Sequence, residues 1–515
     1  MHLNPELFGK PTFADDPITL DLNFSATDEL ESGSIEGLSP ELRSEVEELI
    51  DQFRGALIDA GLFEEVGVIH SPVSGPRTIR IPDELEIKIT PDSRVESSRL
   101  RNPSLSPAEQ ISRYVSSFPN EYKEQLLKLA DQAAPMNSSC RITVCIPVAA
   151  HEEAAHIERT LACFLNQTFP FDHFEVVLLL NHPDRTRSGE IITPDKTPEI
   201  VEAFRQRHPE LNIQTCYAVF EREYLTIGYI RTVLTDLVML RHHKRGLEQD
   251  HILTRNDADT IGLDPDYLLN GFRKLEENPQ ADAIAGRLEG APPELCEDPY
   301  LFVGYKLSSL LYTYLRVKYN APQGSAGANL IFRASSYSLV GGYNPSDKVG
   351  EDVAIDLGLI RFRAKEFKPS ALIYGGSAST LYTSTRRARE ALKFGLSAVE
   401  QWSSDGVPFG SEDPKVRLSG PVETLDLDAV FHSAEFRPLL GKVINGTLGF
   451  YDDLIGAHPE LLSRLLTDHL GITYSRSESG DVIVEGVEGL FQKFLRYRDQ
   501  GLNQWHKRLK LTSRY

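Results

Sequence analysis

Two acidic pairs are the residues of this chain best suited to chemistry. The first lies in Thr254-Arg255-Asn256-Asp257-Ala258-Asp259-Thr260, directly after a short apolar run that reads as a strand. Carboxylates two residues apart just past a strand end can offer hard oxygen ligands to Mg²⁺ or Mn²⁺, and an ion held there would neutralise a diphosphate. Other acidic-loop chemistries fail on spacing. A calcium loop begun at Asp257 has Gly262 at its sixth position but Leu268, not Glu, at its twelfth. A phosphatase-type nucleophilic Asp would want Thr where Ile261 stands. No Gly-x-x-x-x-Gly-Lys-Ser/Thr loop occurs, and Gly324-Ser325-Ala326-Gly327 lacks the dinucleotide fingerprint. The second pair, Glu351-Asp352, stands at the expected start of a helix. Acids there complement the helix dipole. Alternatively, a carboxylate held near substrate can take the proton of an attacking hydroxyl.

These pairs need elements to position them. Residues 141–147 form a short apolar run ended by Pro147, and 174–180 form a second. Between and after them, helical spacing over 152–165, 198–208 and 228–241 alternates with strand-like runs over 213–219 and 251–254. Strands alternating with helices predict a parallel sheet covered on both faces, with ligands at the strands' carboxyl ends. The acidic motif falls at such an end.

Taken together, these motifs resemble the family 2 glycosyltransferases of the GT-A fold, non-processive type, over residues 141 to about 390. Ile146-Pro147-Val148-Ala149-Ala150-His151-Glu152-Glu153 looks like that family's first strand, Pro and Asn-Glu turn, with one extra residue and His151 in place of the Asn. Asn181 stands where the family usually has an Asp that reads the base. Thr226-Ile227-Gly228-Tyr229-Ile230-Arg231 is similar to the segment whose basic residue lies near the nucleotide, and Asp257-Ala258-Asp259 matches the metal-binding Asp-x-Asp. Gly327, Arg333 and Gly341-Gly342-Tyr343 follow the family's order, Glu351-Asp352 matches its Glu-Asp, and Thr383-Ser384-Thr385-Arg386-Arg387 resembles an arginine segment of some members. The Gln-x-x-Arg-Trp motif of processive members is missing.

The resemblance implies an α/β fold, a Rossmann-like mixed sheet flanked by helices, and hexose transfer from a nucleotide-diphosphate sugar to a hydroxyl acceptor with inversion. It implies Mg²⁺ or Mn²⁺ on Asp259 and Asp257. Pro147, Val148, Glu152, Asn181, Arg231, Asp257 and Arg386 would surround the donor, Asp352 would be the base, and Glu351 would position sugar or acceptor. Blander readings stand beside these. Pro147 can end a strand, Glu152 can cap a helix, Arg231 and Arg386 can be ion-paired or solvated, and His151 and His182 can be structural. The strip Tyr305, Leu307, Leu311, Tyr312, Leu315 reads as core in preference to an acceptor platform. A non-catalytic nucleotide-binding scaffold is the alternative function, and a nucleotidyltransferase using the same acidic pair is a third.

Length and charge frame these readings. A chain of 515 residues exceeds one core, and it divides into an accessory region over 1–138, the transferase-like domain over 139–402, and a mainly helical region over 403–515. With 75 acidic against 54 basic side chains the net charge is −21, which disfavours nucleic acid or anionic lipid as general partners. Acids crowd the first forty residues, whereas the last helix is basic and amphipathic, compatible with peripheral membrane contact or with docking on the protein itself. No run approaches the roughly 20 apolar residues of a membrane span. Five cysteines without a Cys-x-x-Cys pair indicate reduced thiols and a cytoplasmic protein.

Overall fold

The computed structural model describes residues 77–81, 85–89, 105–186, 189–222, 225–246, 249–279, 281–318, 328–343, 372–374, 379–386, 427–448, 455–456 and 459–508. Residues 39–62, whose apolar side chains recur at helical spacing, the acidic amino-terminal stretch, Gly327, Glu351, Asp352 and Arg387 lie outside them.

The chain opens with a hairpin of β1 (Arg77–Ile81) and β2 (Leu85–Ile89). Helix α1 (Pro107–Ser116) starts where Ser-Pro-x-Glu predicts. The Ser106 hydroxyl accepts from the Glu109 N–H at 3.4 Å, and the Glu109 carboxylate accepts from the Ser106 N–H at 2.9 Å. Helix α2 (Asn120–Ala130) follows. The alternating run then appears as β3 (Ile142–Ala149), α3 (Ile157–Leu165), β4 (Phe174–Pro183), α4 (Thr197–Arg207), β5 (Ile213–Phe220), α5 (Ile227–Arg245) and β6 (Ile252–Arg255). Helix α3 begins five residues later than its sequence pattern suggests, because residues 150–156 turn across the end of β3. Beyond β6 come β7 (Thr260–Leu263), α6 (Tyr267–Glu277), β8 (Ala283–Ala285), β9 (Arg287–Gly290), α7 (Pro292–Leu295), α8 (Pro299–Lys318), β10 (Leu330–Arg333), α9 (Ala334–Val340), β11 (Leu372–Tyr374) and β12 (Thr380–Thr383). The last part contains α10 (Leu427–His432), α11 (Phe436–Leu448), α12 (Pro459–Ser463), a π-helical turn at Arg464–His469, the hairpin β13 (Thr473–Arg476) and β14 (Val482–Gly486), and α13 (Glu488–Arg508).

The main sheet is mixed and has the order β11-β8-β10-β6-β3-β4-β5-β1-β2. Its centre, β6-β3-β4-β5, is parallel, and β10 and β1 join its two sides antiparallel. The early hairpin therefore extends this sheet, with Ile79 opposite Phe220. Helices cover both faces, and side chains of the strands alternate between them as the pleat requires. Val176, Leu178 and Leu180 of β4 join the core beneath α3, α4 and α6, whereas Val177 and Leu179 join the core beneath α1, α2, α5 and α9.

Helices α1 and α2 are thus seated on the sheet's own helix α5. Asp236 of α5 is fully buried and accepts the hydroxyls of Tyr114 and Tyr122, each at 2.8 Å, and of Tyr337 at 3.1 Å. Asn at this position would set an amide N–H₂ against one of three hydroxyls that now donate to a carboxylate. Asp236→Asn is expected to lower unfolding stability by about 2 kcal/mol, read from urea unfolding. An unchanged midpoint would show that the tyrosines do not depend on the charge.

A second buried group ties the amino ends of β3 and β4 to α5. Glu175 of β4 receives Arg241 of α5 through two bonds of 2.8 and 3.0 Å and Thr143 of β3 at 3.0 Å. Beside it, His242 and His251 stack at 4.7 Å. Burial, the larger effect, and Arg245 push His242 down to about 4, so it is neutral in the fold.

Helices α10 to α13 and the β13–β14 hairpin form a further core against α8, in which Leu307 and Leu311 are fully buried, as expected of that strip. The hairpin falls within a region that the sequence reads as mainly helical. Helix α13 docks, and its Trp505 packs edge-on against Tyr382 of β12 at 4.9 Å with Ile261 of β7 alongside. All five cysteines are buried and unpaired. Burial pushes the Cys140, Cys163 and Cys216 thiols up to about 12, which leaves them unreactive. Among the described residues no helix is long and apolar enough to cross a membrane.

Candidate functional site

The site is built where β3 and β6 part. They pair from Ile142 to Cys145, and the last link is the Asn256 N–H to the Cys145 carbonyl at 3.2 Å. Beyond it β3 continues beside β4 alone, through Pro147 opposite Leu179 and Val148 opposite Leu180. Proline has no N–H to offer, so it suits a place past the last β3–β6 pair. Pro147 is inside the strand rather than at its end, and Val148 is fully buried.

On the other side of this opening, the chain leaves β6 in a tight turn. Thr254 donates to the Asn256 side chain at 2.6 Å, and the Thr260 N–H and hydroxyl both reach the Asp257 carbonyl, at 3.2 and 2.8 Å. The Thr160 hydroxyl of α3 lies 2.5 Å from the Ala258 carbonyl oxygen, bracing the turn from below. Asp257-Ala258-Asp259 thereby passes the chain from the main sheet to β7 of a second, three-stranded sheet ordered β7-β12-β9.

Each carboxylate of this turn meets a different arginine. Arg231 lies in the second turn of α5, whose start is fixed by the Thr226 hydroxyl accepting from the Tyr229 N–H at 3.0 Å. Its guanidinium is 5% exposed and lies 2.6 Å from Asp257. Asp259 is buried, 3.5 Å from Arg386 and 3.4 Å from the Thr383 hydroxyl, and its carbonyl accepts from the Ser384 N–H at 3.0 Å. Arg386 follows β12, where the neighbouring Thr385 is held by Glu294 of α7 through its N–H at 2.6 Å and its hydroxyl at 2.5 Å.

The acidic residue of the 150s turn that enters the site is Glu153. Glu152 is exposed, whereas Glu153 is buried and accepts from Arg386 at 2.7 Å. Burial pushes the Glu153 carboxyl up to about 7, against the pull of the Arg386 guanidinium and with a smaller push from Asp259. Its Oε2 is buried with no hydrogen-bond partner among the described residues. Burial acts to lower the Arg386 pKa, but Glu153 and Asp259 outweigh it and the net shift is upward. His156, half-buried beside this group, is pushed down first by burial and then by Arg386, so it is neutral there. The sequence pattern assigns this place to Glu152, which the structure leaves exposed, and nothing in it marks Glu153 or His156.

Asn181 is at the carboxyl end of β4, as expected, but its side-chain N–H₂ is committed to the main chain, donating to the Val148 and Leu179 carbonyls at 3.0 Å each. His182 bonds the Pro183 carbonyl at 2.7 Å, and its ring lies between those of His151 and Tyr217, at 6.4 and 5.8 Å. Arg333 and the double glycine serve the frame. Arg333 donates to the Ala281 carbonyl at 2.8 Å and to Leu275 at 2.5 Å, closing the end of α6. Gly341 and Gly342 have φ of +79° and +83°, and a Cβ on Gly342 would meet the Tyr114 hydroxyl at 2.5 Å. The structure thus joins Arg231 to Asp257 and Arg386 to Asp259 and Glu153 beside the place where β3 and β6 part, with Pro147 on β3 past that place and Val148 buried; the expected base lies outside the described residues.

The donors here are carboxylate oxygens, the type preferred by Mg²⁺ and Mn²⁺. Among the described residues no three His, Cys, Asp or Glu side chains converge as a metal cage. Mg²⁺ is normally bound through one or two carboxylates plus substrate phosphates, so Asp259 and Asp257 fit such an ion.

No family model matches this chain, and no curated protein matches it. Among solved structures it is similar to a mannosyltransferase from Pyrobaculum calidifontis in complex with GDP-Man and Mn²⁺, at 16% identity over 77% of this chain and 97% of that one, with a TM-score of 0.35. It is also similar to S. aureus TarS 1–349 in complex with UDP-GlcNAc, at 13% identity, 71% and 92% coverage and a TM-score of 0.30. A third is glucosyl-3-phosphoglycerate synthase from Mycobacterium tuberculosis with Mn²⁺, UDP-Glc and phosphoglyceric acid, at 15% identity, 53% and 84% coverage and a TM-score of 0.28. At scores this low the likeness identifies none of the site residues.

Proposed function

We propose that this protein transfers a hexose from a nucleotide-diphosphate sugar to a hydroxyl acceptor, with inversion and with a divalent ion on Asp259 and Asp257. The observation that carries this reading is the Asp-Ala-Asp turn at the end of β6, whose carboxylates each face an arginine, Arg231 or Arg386, across the opening between β3 and β6. Such alternation of charge suits an anionic diphosphate brought in with a cation. When bound, the ion would neutralise the leaving diphosphate.

The chain's own residues have separate tasks. Pro147 borders the nucleotide, Val148 and Asn181 support the strand ends behind it, and Glu153 rather than Glu152 faces the charged end. Arg231 and Arg386 supply positive charge to the phosphates. The Asp352 carboxylate takes the acceptor's hydroxyl proton while that oxygen bonds to the anomeric carbon, and the bond from that carbon to the diphosphate oxygen breaks on the opposite face. Glu351 positions sugar or acceptor. The negative charge released on the diphosphate is met by positive groups held close to it, which is how such sites lower a barrier.

The test is a panel of UDP-, GDP- and other nucleotide sugars with Mn²⁺ and mixed hydroxyl acceptors, read by release of the nucleoside diphosphate and by mass spectrometry of the product. Transfer from one donor is the expected result. Nucleotide binding without release in any combination would favour the non-catalytic scaffold, and no binding at all would sink the assignment.

A further inference from the structure

The Glu153–Arg386 pair has a feature that the transferase reading does not use. One nitrogen of Arg386, Nη2, lies 2.7 Å from Glu153 Oε1 and 3.5 Å from Asp259 Oδ2. A single positive centre therefore sits between two buried carboxylates. Only half of the Glu153 carboxylate is satisfied, since its Oε2 is buried and has no hydrogen-bond partner among the described residues, although the residue is 4% exposed. A buried carboxylate oxygen left without a partner is costly unless a ligand completes it. Arg386 is the more exposed member, at 28%, and its long side chain can turn outward while the backbone beside it stays held by Glu294.

We propose that Arg386 occupies the place of the divalent ion, and that Glu153 is a further ligand of that ion alongside Asp259. Entry of the ion displaces the guanidinium, which turns to the diphosphate arriving with it. The exchange balances charge: with the guanidinium in place Glu153 and Asp259 carry a net −1, a divalent ion in its stead cancels their −2, and the freed guanidinium offsets part of the diphosphate. Oxygen-only ligation and the small number of protein donors suit Mg²⁺ or Mn²⁺, with phosphate oxygens and water completing the shell. This inference rests on the transferase reading for the diphosphate, but not for the ion.

The experiment measures Mn²⁺ binding to the full-length chain without nucleotide, by electron paramagnetic resonance of the free ion, and UDP and GDP binding at saturating Mn²⁺ by calorimetry. Glu153→Gln is expected to weaken Mn²⁺ binding about tenfold. Arg386→Ala is expected to act oppositely on the two ligands, tightening Mn²⁺ several-fold and weakening the preferred nucleotide about tenfold. Because Arg386 is partly exposed, its variant keeps the test open even if Glu153→Gln fails to fold. If the parent binds a nucleotide with Mn²⁺ but both variants bind Mn²⁺ as the parent does, the exchange is overturned and the transferase reading stands. A parent that binds Mn²⁺ but neither nucleotide overturns the transferase reading and the diphosphate half of the exchange.

Discussion

Asp259→Asn is expected to cut hexosyl transfer about a thousandfold, about 4 kcal/mol of transition-state stabilisation. The substitution is nearly isosteric. Asn retains an oxygen for the Thr383 hydroxyl, and the Asp259 carbonyl still accepts from Ser384, so the turn between β6 and β7 should hold. What disappears is one buried negative charge facing Arg386, and with it the ligand that would keep a divalent ion against the leaving diphosphate. In a water-poor site the loss is large because no solvent dipole replaces the ligand. Asp257 is predicted to matter less, since it is more exposed and pairs with Arg231 at 2.6 Å. The measurement is kcat/KM for the preferred donor over a Mn²⁺ titration, with the melting temperature as control. Transfer within tenfold of the parent at saturating Mn²⁺ would remove Asp259 from the site.

Asp352→Asn should lower kcat by about a thousandfold while leaving the donor KM nearly unchanged, the signature of an interaction made only in the transition state. The reason is chemical. A sugar or other alcohol hydroxyl is a weak nucleophile at neutral pH, and the amide cannot take its proton. Asp352 lies outside the described residues, so this expectation rests on the Glu351-Asp352 pair and its order after the Asp-x-Asp turn. The pH profile separates this role from a structural one. Loss of a base abolishes the acidic limb of kcat, whereas loss of packing lowers the whole curve. An acidic limb that persists in the variant would assign the base to another residue.

The turn that holds Asp259 was legible in the sequence, and the reasons are local. A run such as Val176 to Leu180 has no polar side chain and is too short for a buried helix, so it reads as a buried strand, and a cap such as Ser106 with Glu109 is complete within four residues. The Asp257 to Asp259 turn was legible because it follows such a strand directly. The choice between Glu152 and Glu153 was not. Both are acids in a turn with one extra residue, and which of them points inward depends on Arg386, 233 positions further along. Asn181 shows the same limit in reverse: its position at the end of β4 could be read, but the Val148 carbonyl that accepts its amide belongs to another strand.

The alternating strands and helices of 141–255 and the place of the acidic turn at the end of the fourth of those strands follow from the sequence alone. Tertiary structure decided which distant pieces share a sheet. The early hairpin joins β5, and β7, β9 and β12 form a second sheet that carries Asp259 and leads into Arg386, with Trp505 of the last helix packed on Tyr382 beneath. Short strands such as β9 and β12 hold too few residues to show a period. Their partners are set by which edges remain unpaired once the main sheet has formed, and side chains far apart in the chain meet only then.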